Sequence, residues 1–152
     1  LYLLHYLKDD IMEVVLKDFD LGKSKRSEFL NMIDFLLCLR NCCAHSFLMN
    51  RFTTPVRYKV NSNIVNSFGL KPQKHLGYKY SKPSLFDVLK ILSYFTSLKE
   101  LKKLLKRFLY SNNKRMGYKR GNQLNKKILT QMGCSDYSKW KVLLSGSIKY
   151  TL

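Results

Sequence analysis

The sequence predicts an all-α bundle, and three observations carry that prediction. Apolar residues recur at threes and fours through most of the chain, glycine and proline gather in a few places between those stretches, and 45% hydrophobic content with 13% aromatics suffices for a core. At 152 residues one domain, 1–152, is the expected organisation. No stretch approaches the roughly eighteen uninterrupted apolar residues of a membrane span. Nothing at the start has the layout of a signal peptide, so a cytoplasmic location is expected. The opening LYLLHYLKDD lacks methionine and starts inside a helical pattern, so the domain is expected to be the C-terminal part of a longer chain.

Leu3, Leu4, Leu7, Ile11, Val14 and Val15, interleaved with Asp9, Asp10 and Glu13, predict an amphipathic helix over 1–17. DFDLGKSKRSE breaks it, and a second helix runs from Glu28 to about Ser46. Its residues Phe29 to Leu39 are apolar nearly all round, which places it centrally. From Phe47 to Pro83 the pattern dissolves into a long loop between this helix and the third, with strand-like pieces such as Val56 to Val60. Ser84 and Asp87 form a capping box, followed by Leu85, Val88, Leu92, Phe95, Leu101, Leu105 and Phe108 as one third helix. YSNNKRMGYKRGN then reads as a loop. Gln123 to Met132 is a fourth helix closed by Gly133, and a short piece around Tyr137 to Trp140 anchors the tail through Trp140.

Charge restricts the partners. Lys and Arg number 28 against 10 Asp and Glu, a net charge of +18. Residues 1–36 hold 5 basic and 7 acidic side chains, leaving 23 basic and 3 acidic for the rest. Such a field favours polyanions, nucleic acid ahead of an anionic membrane surface. Lys99, Lys102, Lys103 and Lys106 fall at helical offsets and make one stripe, extended by Arg107. Lys114, Arg115, Lys119 and Arg120 lie beside Tyr110 and Tyr118, joining phosphate contacts to stacking surfaces suited to unpaired RNA bases.

The segment FLLCLRNCCAHSFLMNR places Arg40, Asn41 and His45 in the most hydrophobic helix. At about 100° per residue Asn41 and His45 share a face, whereas Arg40 lies roughly 140° round from His45. Arginine clamps phosphate through paired donors and histidine exchanges a proton near neutrality, the two roles that phosphodiester cleavage without a metal requires. Helical geometry alone does not bring them together. Cys38, Cys42 and His45 also form one stripe, but no fourth ligand accompanies them, so packing cysteines are expected rather than a metal site, and no cofactor is implied. Cys134 completes a set without a C-x-x-C pair, which fits a reducing compartment. His5 and His75 are expected to be surface or packing residues.

RNCCAH fits the R-x4-6-H signature of HEPN domains, and LRNCCAHSFLMNR resembles the RN-x-x-AH-x-x-x-x-NR block of the Abi-like abortive infection proteins, the AbiD and AbiF group. The closing MGCSDYSKW is similar to that family's terminal MG…W element, with longer spacing here. Ser46 and Phe47 stand where many relatives carry a second histidine and a polar residue. The resemblance implies a HEPN-like helical bundle and a homodimer in which two R-x4-H segments meet across a two-fold axis. It also implies metal-independent cleavage of single-stranded or structured RNA through the ribose 2′-hydroxyl, leaving a cyclic phosphate. Arg40 would stabilise phosphate charge, His45 would handle the proton, and Asn41 would orient them. Asn50 and Arg51 match the NR pair, with a role in structure or in RNA contact. Such a ribonuclease would act in phage defence or as a toxin restrained by an antitoxin protein or a small structured RNA. The alternatives are a catalytically silent HEPN-like RNA-binding module and a duplex-DNA binder.

Overall fold

The computed structural model describes residues 2–45, 47–54, 60–70, 82–148, 150 and 152. Among them the chain folds as helices: α1 Tyr2–His5, α2 Asp9–Lys17, α3 Arg26–Ala44, α4 Ser62–Ser67, α5 Leu85–Phe95, α6 Lys99–Met116, α7 Tyr118–Gln131 and α8 Tyr137–Ser145, with 3₁₀ turns at Lys23–Lys25 and Met49–Arg51. No strand forms among the described residues, only an isolated bridge between Thr53 and Ser84. The all-α expectation is met. No helix among these residues is long and apolar enough to cross a membrane.

The predicted helix over 1–17 is two pieces, because Lys8 is extended at φ −60°, ψ 153°. Arg26 fixes the break by donating to the Leu7 carbonyl at 3.0 Å and pairing with the Asp9 carboxylate. The motif helix spans Arg26–Ala44, so His45 caps it instead of lying inside. Its buried residues Phe29, Met32, Phe35 and Cys38 form one stripe. Phe29 meets Phe19 and Phe95 at centroid distances of 5.2 and 6.2 Å. The most enclosed helix is α5, with Leu85 to Leu89 and Ile91 buried, so the central place expected for α3 belongs equally to α5.

The predicted loop over 47–83 contains a 3₁₀ turn and α4. Asn61 caps α4 by accepting from the Asn63 N–H at 2.8 Å, while its own N–H donates to Asn31 of α3 at 2.9 Å. The strand-like pieces over 56–60 and His75 fall on residues outside those described, apart from Val60. The predicted capping box is present: Asp87 Oδ2 accepts from the Ser84 N–H at 3.2 Å and Ser84 Oγ accepts from the Asp87 N–H at 3.4 Å.

The third helix predicted through Phe108 is broken. Thr96 is extended at φ −153°, ψ 158°, and buried Leu98 leads into α6. Leu98 keeps the apolar spacing at three on both sides, Phe95 to Leu98 to Leu101, so periodicity alone runs straight through the break. The loop predicted over 110–122 is helical except at Gly117, whose φ 74°, ψ 154° belongs to a region open essentially to glycine alone. That one residue reverses the chain into an α6–α7 hairpin. Buried Asn125 of α7 donates to the Leu109 carbonyl at 2.9 Å and to Asn113 Oδ1 at 3.0 Å, and accepts from Asn112 at 2.8 Å. The tail closes as expected: Trp140 is 1% exposed, donates to the Cys134 carbonyl at 2.7 Å and meets Phe86 at 4.8 Å.

Candidate nucleic-acid interface

The motif lies where α3 runs out of the core. Cys38 is the last buried residue of the helix, and the final turn carries Arg40, Asn41 and Cys43 into solvent. The chain leaves through His45, whose N–H donates to the Asn41 carbonyl at 3.0 Å, and Phe47, whose N–H donates to the Cys42 carbonyl at 3.1 Å. Arg40, Asn41 and His45 are all exposed. Arg40 Nη1 donates to Asn41 Oδ1 at 3.1 Å, which steadies the guanidinium beside its neighbour. No hydrogen bond joins either side chain to the His45 ring among the described residues. A helix C-terminus presents carbonyls, which attract cations. A phosphate here would therefore be held by side chains and not by the helix end.

Burial pushes the Cys42 thiol up, with Cys43 beside it adding to the effect, which disfavours the thiolate form. No group of three or more His, Cys, Asp or Glu side chains arranged to hold a metal ion occurs among the described residues. His5 does have a companion, Asp34 Oδ1 at 3.0 Å, which ties α1 to α3.

The NR pair divides. Asn50 donates to Gln131 Oε1 at 3.0 Å and fastens the 3₁₀ turn to the end of α7, whereas Arg51 is exposed. Asn50 thus has a partner within the fold, while Arg51 stands open to solvent.

The basic residues concentrate on the hairpin. Lys99, Lys103, Lys106, Arg107, Lys114, Arg115, Lys119 and Arg120 are exposed and Lys102 is half-buried. Lys103 pairs with Glu100 at 2.8 Å; the others have no carboxylate partner among the described residues. Tyr110 and Tyr118 are 69% and 77% exposed, open to stacking. Residues 99–132 hold eleven basic side chains and one acidic. Lys126 and Lys127, also exposed, extend the patch and were missed by the sequence reading. They lie seven residues beyond Lys119 and Arg120, on the same helical faces, a register hidden by the glycines and asparagines that make 110–122 read as a loop.

Motif and patch are neighbours with different outlooks. An apolar groove of about 750 Å³ lies between the end of α3 and the hairpin, lined by Leu39, Cys43 and Met49 on one side and Leu101, Leu104 and Phe108 on the other. At about 100° per residue the stripe of Lys99, Lys102, Lys103 and Lys106 lies on the face of α6 opposite Leu101, Leu104 and Phe108. The stripe therefore looks away from Arg40. Comparison with protein-family models, with curated proteins and with solved structures yields no match.

Proposed function

We propose that this protein is a HEPN-type endoribonuclease of the abortive-infection or toxin class, acting without a metal on structured or single-stranded RNA. Its main support is the joint exposure of Arg40, Asn41 and His45 at one helix end, on a chain of net charge +18. In this mechanism the hairpin binds RNA through phosphate contacts and through stacking on Tyr110 and Tyr118. His45 takes the proton of the attacking 2′-hydroxyl or returns one to the leaving 5′-oxygen, and a guanidinium offsets the charge on the phosphoryl oxygens. The 2′-oxygen forms the bond to phosphorus as the bond to the 5′-oxygen breaks. Because Arg40 and His45 share no hydrogen bond within one chain, a homodimer that brings two α3 ends together supplies each site with both groups.

Incubation of structured RNA with the protein in the presence of a chelator tests the proposal. Cleavage with cyclic phosphate ends, lost in Arg40→Ala and His45→Ala while RNA affinity persists, is the expected result. Wild-type protein that binds RNA without cutting it overturns the enzyme and leaves an RNA-binding module. Equal, salt-sensitive affinity for RNA and duplex DNA at matched salt overturns the RNA preference.

A further inference from the structure

We infer that the groove between α3, α5 and α6 receives an acidic amphipathic helix from a partner protein. Leu101, Leu104 and Phe108 are 38%, 59% and 47% exposed although they lie beside the core. Their spacing, with half-buried Leu105, follows one face of α6 for two turns, and Leu39, Cys43 and Leu89 oppose them across the opening. That is the register in which an amphipathic helix lays its apolar face into a groove. Phe108 is the one exposed aromatic in the lining, and Trp140 is buried beneath it, so nucleobases find little to stack on.

Charge selects the occupant. Arg40 precedes Cys43 by three residues and Arg107 follows Leu104 by three, so each springs from a position about 60° round its helix from a lining residue, one arginine beside each rim and within reach of it. Glu100, the single acid in residues 99–132, is paired with Lys103. A helix flanked by carboxylates is steered in and held; one flanked by lysines is repelled. The chain's own acidic helix α2 exposes Ile11 and Val14, one turn of apolar surface against a groove of two, so a second copy fits less well. A docked helix would occupy Arg40 and so withhold it from phosphate. That last consequence rests on the proposed ribonuclease activity; the docking itself does not.

The probe is a synthetic fluorescent peptide with leucines spaced three, four and seven apart and glutamates on both flanks, titrated without RNA and followed by anisotropy. Saturable binding is expected, weakened by salt, and weakened about tenfold or more by Leu104→Glu or by Arg107→Glu. Both residues are exposed, and circular dichroism checks that the variants stay folded. Absence of binding, equal binding of a lysine-flanked peptide, or unchanged binding to both variants overturns the inference. So does sedimentation of the unliganded protein as a dimer that Leu104→Glu dissociates, since the occupant is then a second copy. Inhibition of RNA cleavage by the peptide is a separate readout, and its failure bears on the withholding of Arg40 alone.

Discussion

Gly121 faces Asn113 across the hairpin so closely that a Cβ on the glycine would stand 2.5 Å from the Asn113 Cα. The neighbour is backbone, which cannot swing aside, so the two helices approach on the strength of that missing methyl group. Gly121→Ala gains helix propensity but forces α6 and α7 apart, and overpacking of this kind costs about 1–3 kcal/mol. A lower urea midpoint is expected; an unchanged or raised one contradicts the close approach.

Asn125 is 7% exposed, and all three of its described side-chain hydrogen bonds reach into α6. Asn125→Ala removes them and leaves donors of Asn112 without their partner, a loss on the order of 1–3 kcal/mol. Thermal unfolding should show a clear drop in Tm, while Asn122→Ala, which gives up a single exposed bond to Asn113, should change it little.

Glu28 is 4% exposed and accepts from Asn63 Nδ2 at 2.8 Å. That hydrogen bond holds its carboxyl below the usual glutamate range, with smaller help from backbone and from Lys25, while burial opposes the shift. A carboxyl whose folded pKa is depressed binds fewer protons folded than unfolded, so stability rises with pH across the interval between the two values. The contribution is complete above the unfolded value of about 4.3 and is lost as pH falls through the lower, folded one. Urea midpoints of the wild type and Glu28→Gln should differ most near neutrality and converge below pH 4; a constant difference across that range would contradict the assignment.

The basic face makes a quantitative claim. If Lys106, Arg107 and Lys126 each touch phosphate, conversion to glutamine should lower the slope of log affinity against log salt by about 0.7 per contact on single-stranded RNA. Fluorescence titrations of a labelled RNA at several salt concentrations measure it. Slopes unaltered by all three changes would move the binding face elsewhere.

Periodicity revealed the helices that bury a plain apolar stripe, α3 and α5, and the Ser84–Asp87 cap announced itself three residues apart. It failed where the buried face is polar. Asn112, Asn113 and Asn122 look like loop residues in sequence, yet with Asn125 they bond one another across α6 and α7, and the end of α6 and the start of α7 are hidden with them. The break at Thr96 leaves no mark in the apolar spacing, because Leu98 stands three residues from both Phe95 and Leu101. Of the candidate site, residue types and spacing single out Arg40, Asn41 and His45 as candidates, but exposure is decided by what packs on α3, which one-dimensional pattern does not encode. The same is true of Asn50 and Arg51, neighbours in sequence that part in space when one is claimed by Gln131.

The turn at Gly117 leaves the hairpin no slack. One inserted residue would rotate α7 by about 100° against α6, carrying Asn125 off its partners and swinging Lys119 and Lys126 round with it. Length at this point is thus as constrained as composition: the chain can trade lysines along the outer face with little structural consequence, but cannot add a residue at the bend without dismantling the surface that displays them.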